Sequence, residues 1–388
     1  MNNARIALIR QVIEEVSVEI GPRFAGTASE RRAADYLAQQ FIASGFTTRR
    51  QGFTFVGWES IGDPLVLLHA GEGKQLQAAP LLYSGATPSG GVRGRVAARA
   101  GKVVLIAGLY EKELFAIVDR DENEVAHLIV EADGPPIRLA NPNPIIQFPQ
   151  VVIGADEVRE LRAALSSVDV LDVTVEVQAR IIPDAQAANV IASALHPGQS
   201  PRVLVTAHID TTERSPGAYD NASGMAALVA LAHELPERAD RISVGVDLVG
   251  FACEEVGYFG SKHFVGRLLQ SGAMSEIAAC LTLDMLSGGE RLWFWTWPED
   301  LQARVRQVAS RLGLGRQYAT EYFGPRAGAD NWQFHLQGIP NLCVLFWRQA
   351  EYHKPTDTAD KADPHKVSAC VELMLGLLEH FSEAGQLQ

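Results

Sequence analysis

The residues able to do chemistry gather in the second half of the chain, each where an apolar run stops. Arg202-Val-Leu-Val-Thr-Ala-His208-Ile-Asp210 reads as a buried strand ending in His-x-Asp, and residues two apart on an extended chain point the same way. Val246 to Cys253 is a second apolar run, and it ends in Glu254-Glu255. Two adjacent carboxylates beside a buried strand repel each other and lose hydration, a cost that bound cations would relieve. Cys280-Leu-Thr-Leu-Asp284 ends in a third carboxylate. Between the first two runs, Pro216-Gly-Ala-Tyr-Asp220-Asn-Ala-Ser-Gly224 reads as a turn entering a helix, and Glu351-Tyr352-His353 follows the last strand candidate. Taken singly each has a plainer reading: Asp220 a helix cap, Asp357 a turn residue, His-x-Asp a chance pair. Together, His208, Asp220, Glu255, Asp284 and His353 form the nitrogen and oxygen donor set that suits two zinc ions. Asp210 is placed to orient His208 from behind, as carboxylates commonly do for metal-bound histidines.

Those residues require a scaffold that brings strand ends to one edge. Beyond Asn189 strand and helix candidates alternate: strands at 190–194, 202–207, 244–253, 278–283, 291–297 and 341–346, and helices at 224–235, 257–269, 300–312, 329–337 and 364–382. This is the pattern of an α/β fold, a mixed central sheet flanked by helices, and ligands of such sheets bind at the carboxyl ends of the strands. Upstream, Met1 to Val16 reads as an amphipathic helix, and Thr27-Ala-Ser-Glu30 as a capping box before an apolar face of Ala34, Leu37, Ala38, Phe41 and Ile42. From Gly57 to Ile181 the texture changes to short β-rich runs, glycine turns and a proline cluster at Pro142, Pro144 and Pro149, with one helix at 155–165. The expected organisation is therefore a catalytic domain of residues 1–56 and 182–388, with a smaller β-rich domain, 57–181, inserted. His127, in an apolar run of that insert, reads as a satisfied packing histidine.

Composition narrows the partners. The net charge of −12 and pI near 5.4 oppose a nucleic-acid partner, and no segment is long and apolar enough to span a bilayer. Cys253, Cys280, Cys343 and Cys370 are widely spaced and read as reduced, buried thiols. With no signal-peptide pattern at the start, cytoplasm is the expected compartment.

The order of these motifs resembles peptidase family M28: His-x-Asp, then Asp-Asn-Ala-Ser-Gly, Glu-Glu-Val-Gly, Leu-Asp-Met and Tyr-His-x-Pro-x-Asp-Thr. The resemblance implies a zinc exopeptidase fold and a di-zinc peptidase, with an aminopeptidase as the first expectation and a carboxypeptidase or dipeptidase as the alternative. It further implies that Asp220 bridges two metals, with His208 and Asp284 completing one site and Glu255 and His353 the other. Glu254 would be the general base that takes a proton from the metal-activated bridging water and returns it to the leaving amine, Tyr352 would support the oxyanion, and Asp330 would contact substrate. Residues 57–181 are similar to a protease-associated domain. Two departures stand out: Tyr219 where the family often has aspartate, and Ala329-Asp330-Asn331 where it often has Ser-Asp-His. Arg326 and Arg348 are the cations available for a carboxypeptidase. Trp293, Trp295 and Trp297 share one strand face and read as packing or an interface. Glutaminyl cyclases, which use one zinc, and ligand-poor receptors share the resemblance, but the intact ligand set and Glu254 favour a hydrolase.

Overall fold

A computed structural model describes residues 3–97, 101–105, 110–132, 148–347 and 349–383; Pro142, Pro144 and Arg348 lie outside them. The chain divides into two compact units, Met1–Thr54 with Gln186–Gln388, and Phe55–Ala185.

The main elements around the first unit are, in order, α1 (Asn3–Glu14), α2 (Ala28–Ala43), β1 (Thr47–Ser60), β2 (Ala179–Leu195), β3 (Arg202–His208), α3 (Ser223–Glu234), β4 (Gly245–Phe251), α4 (Phe259–Ser271), β5 (Ile277–Leu283), β6 (Arg291–Trp297), α5 (Glu299–Arg311), β7 (Ala319–Phe323), α6 (Asn331–His335), β8 (Asn341–Trp347) and α7 (Pro364–Glu383), with β1 and β2 each running past the unit's boundary. The eight strands form one sheet in the order β1-β2-β4-β3-β5-β8-β6-β7. Its centre, β4-β3-β5-β8, is parallel, while β2 and β6 join it antiparallel, so the sheet is mixed.

A parallel centre needs cover on both faces, which is why β3, β4 and β5 are nearly continuous apolar runs. Alternate residues serve opposite cores. Val203 and Val205 pack with residues of α1, α2, α3, α5 and α7, whereas Leu204 packs with Phe264 and Val265 of α4 and Phe334 of α6. Helix α3 is buried from Ser223 through Ala232, accounting for its Ala- and Leu-rich sequence without a polar face. The sequence pattern misses β7, a short half-buried edge strand, and overextends α6, which is five residues long. Among the described residues no helix is long and apolar enough to cross a membrane, and all four cysteines are free and buried.

The second unit is β-rich. Its sheet runs, by residues, 74–76, 65–68, 172–176, 92–96, 110–118, 124–130, 150–153 and 79–80, with 101–105 also paired to 110–118. Helix Ala155–Ser167 packs Val158 and Leu161 into this unit's core. His127 is satisfied by Glu124 Oε2 at 2.8 Å and the Gln150 amide at 3.0 Å, a packing role.

Back in the first unit, one residue from the amino-terminal segment holds the loop after β3. Arg23 is fully buried, and its guanidinium donates to the carbonyls of Ile209 at 2.7 Å, Pro216 at 2.6 Å and Gly217 at 3.0 Å. Burial pulls its pKa down to about 10, with Asp357 and Asp210 opposing the shift, so it remains a cation at neutral pH. Arg23→Met keeps the apolar stem but strands three buried carbonyls. At about 1–3 kcal/mol for each unsatisfied buried group, it is expected to cost roughly 3–5 kcal/mol in denaturant unfolding. A loss below about 1 kcal/mol would show that the loop does not depend on this cation.

Candidate metal centre and active site

His208 is the last residue of β3. The β3–β5 register pairs Thr206 with Thr282, so two residues further on it sets Asp284 beside His208. Glu254 and Glu255 follow β4 across a turn, and His353 lies in the loop after β8. These parent strands run parallel, which puts every one of their carboxyl ends on the same edge.

There the side chains converge as two triads that share Asp220. In His208, Asp220 and Asp284, and again in Asp220, Glu255 and His353, one ligand atom from each residue lies within 4.8 Å of the others. Asp220 Oδ1 is 3.0 Å from His208 Nε2, which is also 3.3 Å from Asp284 Oδ1. Its other oxygen, Oδ2, is 3.3 Å from His353 Nε2, itself 3.2 Å from Glu255 Oε2. One imidazole nitrogen facing two carboxylate oxygens can donate to only one of them as a proton carrier, but a cation between them is met by all three atoms. Two further observations agree. Glu255 Oε1 is buried without a hydrogen-bond partner among the described residues. Burial lowers the basicity of the histidines, yet Glu255 and Asp220 more than reverse this for His353 and carry it up to about 10, while burial pushes Glu255 and Asp284 up. The cluster calls for positive charge at its centre, and its donors fit divalent cations of borderline hardness.

The Asp-Asn-Ala-Ser-Gly run has a separate task for each polar residue. Asn221 donates to Leu283 O at 3.0 Å and accepts from Gly224 N at 2.8 Å. Ser223 donates to Tyr219 O at 2.7 Å and accepts from Leu286 N at 2.8 Å. These bonds fasten the start of α3 to the end of β5, bringing Asp220 to Asp284. At Gly224 a Cβ would stand 2.6 Å from Leu283 O, so the position excludes any side chain. Tyr219, the departure at this motif, is fully buried and its hydroxyl donates to Phe346 O.

Three expected roles gain detail. Asp357, read as a turn residue, is fully buried and accepts from Tyr219 N at 2.9 Å and Asp220 N at 3.2 Å, so it orients the shared aspartate. Burial pushes its carboxyl up to about 7. Its distance in sequence from Asp220 conceals this role. Asp210, expected to hold His208 by its carboxylate, contacts Nδ1 through its own carbonyl oxygen at 3.1 Å, with the carboxylate at 3.7 Å. The carboxylate instead accepts from Glu254 N at 2.9 Å and Glu255 N at 3.1 Å. Asp330, expected to meet substrate, is 1% exposed, accepts from Ser261 Oγ, and has Oδ2 without a partner among the described residues. It also bears on Glu254: burial pushes the Glu254 carboxyl well up, and Asp330, Glu255 and Asp284 add to that shift against the pull of His208.

Beside the ligands lies an aromatic cluster. Tyr352 stacks on the His353 ring at 3.7 Å between centroids and meets Trp347 edge-on at 6.1 Å. Trp293 stacks on Trp347 at 5.2 Å, and Trp295 packs with Tyr219, Met285 and Ala329. Arg326 lies over the ring of Phe323 at 4.5 Å and near those of Trp293 and Trp295. Trp293 and Trp295 therefore pack against residues adjacent in sequence to Asp220, Asp284 and His353, while Trp297 meets His335 edge-on at 5.4 Å.

A parallel sheet edge carrying two histidine–carboxylate triads, with a carboxyl of raised proton affinity beside them, fits a metal-dependent hydrolase. Residues 189–378 match the model of peptidase family M28. The chain is similar to aminopeptidase YwaD of Bacillus subtilis, at 24% identity over 93% of this chain and 82% of that protein. In fold it is similar to the solved zinc aminopeptidase BSAP of Bacillus subtilis, with a TM-score of 0.74, 18% identity and coverage of 99% of this chain and 96% of that one. A peptidase M28 precursor from Shewanella amazonensis gives a TM-score of 0.76 at 18% identity, covering 97% and 93%.

Asp357→Asn leaves one acceptor for two amides and presents an NH2 group to one of them. Groups that orient metal ligands typically contribute 10–100-fold to affinity, so zinc binding measured by chelator competition is expected to weaken by about that factor. Unchanged affinity would remove Asp357 from the centre.

Proposed function

We propose that this chain is a di-zinc aminopeptidase that releases N-terminal residues from peptides. The observation that carries the reading is the two-sided use of Asp220, one oxygen toward His208 and the other toward His353, the arrangement expected of a carboxylate shared by two cations. His208, Asp220 and Asp284 would hold one zinc, and Asp220, Glu255 and His353 the other. When bound, the pair would supply Lewis acidity, lowering the pKa of water and polarising the scissile carbonyl.

The chain's own residues supply the rest. Glu254, next to a ligand in sequence and held in a buried acidic setting, accepts the proton of the attacking water and hands it to the leaving amine. A raised proton affinity suits both halves of that task, because the group must take a proton at one step and part with it at the next. Asp330, out of solvent, strengthens that affinity. Tyr352, fixed by its stack on His353, donates from its hydroxyl to the oxygen of the tetrahedral intermediate.

The aminopeptidase reading is supported by a relative that matches along nearly the whole chain. A carboxypeptidase or dipeptidase would need a cation for the terminal carboxylate, and Arg326 lies over aromatic rings. A one-zinc cyclase would have no use for the complete second triad.

The test is hydrolysis of aminoacyl chromogenic substrates beside N-blocked peptides. Chelation should abolish release and zinc should restore it. Glu254→Gln should lower kcat by about 10²–10⁴-fold while retaining two zinc ions per chain. Cleavage confined to the N-blocked peptides would replace the aminopeptidase reading with a carboxypeptidase, and release that survives chelation would overturn the metal mechanism.

A further inference from the structure

The turn from β4 to the proposed general base is held by carboxylate and amide oxygens at four consecutive peptides. Ala252 N donates to Asn189 Oδ1 at 3.1 Å, Cys253 N to Glu30 Oε1 at 3.0 Å, Glu254 N to Asp210 Oδ1 at 2.9 Å and Glu255 N to Asp210 Oδ2 at 3.1 Å. All three acceptor residues are buried, Asn189 and Asp210 fully and Glu30 to within 2%. The carbonyls of Ala252, Cys253 and Glu254 accept backbone amides from residues 257–260, but the four amides of 252–255 all turn to side-chain acceptors, and Cys253 sits at φ +59°, a conformation that costs a residue bearing a Cβ. The side-chain acceptors therefore hold the amide side of this turn.

Glu30 differs from its neighbours in where it comes from. Its position suggests a capping box, and half of one is present: Glu30 N donates to Thr27 Oγ1 at 3.3 Å. The other half is redirected. Rather than returning to the cap residue, the carboxylate takes Gly26 N on Oε2 at 2.6 Å, and Cys253 N together with the Cys253 thiol, at 3.5 Å, on Oε1. A residue far outside the segment that matches the family model thus grips the amide of the residue immediately before Glu254 from the first turn of α2.

We infer that Glu30 is a positioning residue for Glu254, setting the carboxyl's approach to the attacking water through the Cys253 peptide. The inference rests on the reading of Glu254 as the proton carrier. Its physical basis is that a displacement of about 1 Å at a reacting group costs on the order of 100-fold in rate, and the Cys253 peptide moves the Glu254 backbone directly. Glu30 touches no ligand of the triads, so its loss should leave metal content alone.

The experiment compares the full-length protein with Glu30→Gln, Glu30→Asp and Thr27→Ala, each loaded with zinc. Glu30→Gln keeps the size but offers one acceptor where two are used, and Glu30→Asp keeps the charge but loses the reach. Thr27→Ala weakens only the helix start and should lower the melting temperature by about 2–4 °C with kcat unchanged. Both Glu30 variants are expected to lose about 10–100-fold in kcat with KM within about threefold of the parent, and to retain their zinc. In amide hydrogen exchange, the 253–255 segment should exchange at least about tenfold faster in the Glu30 variants and not in Thr27→Ala. Parental kcat and exchange in the Glu30 variants, or losses matched by Thr27→Ala, would overturn the inference. If the parent itself hydrolyses nothing, the functional reading fails, and the exchange comparison still decides whether Glu30 holds the turn. Should Glu30→Gln fold poorly, Glu30→Asp carries the same comparison.

Discussion

Burial of negative charge at one sheet edge is the constraint on which the rest of this structure depends. Asp210, Asp220, Glu254, Glu255, Asp284, Asp330 and Asp357 are all at least nine-tenths out of solvent, close enough that several raise one another's proton affinity. Such a group is tolerable only if each oxygen has a donor or a cation. The chain answers in three ways. Backbone amides serve Asp210 and Asp357, the cation Arg23 stands behind the loop after β3, and both oxygens of Asp220 with one each of Glu255 and Asp284 are turned toward two histidines.

Precision then follows from placing rigid elements behind flexible ones. The parallel strands supply fixed starting points, but Asp220 and His353 come from loops, and loops need anchors. Asn221 and Ser223 tie one loop to β5, Asp357 ties the two loops to each other, and Tyr219 reaches the end of β8. The aromatic cluster of Trp293, Trp295, Trp347 and Tyr352 closes over the same residues, so that apolar packing and polar satisfaction brace the centre from different sides. The geometry of the two triads is thereby determined by groups outside them, which is the usual condition for a preorganised site.

Much of this was legible in the sequence because the physics was local. Strand β3 had to be apolar on both faces and had to stop at a polar residue, so the run ending in His208 announces both the strand and its carboxyl end. The same logic marks Glu254-Glu255 and Asp284. Edge strand β7 escaped because Ala319-Thr-Glu-Tyr-Phe is short and buried only in part, leaving a weak alternation. The amphipathic face of α2 was plain, and so was its cap at Thr27.

The pattern of residue types and their spacing determined, without any coordinates, an α/β scaffold and a nitrogen–oxygen donor set at the ends of its strands, because burial period and charge placement are written along the chain. Only the tertiary structure decided which oxygen meets which donor. That Asp210 serves the backbone of Glu254 and Glu255 more than His208, that Asp357 steers Asp220 across 137 residues, that Asp330 is withdrawn from solvent, and that Glu30 and Arg23 reach the site from the amino-terminal segment all depend on long-range contacts. Hydrogen bonds are short-ranged and directional in space but indifferent to separation along the chain, so their partners become visible only once the chain has folded.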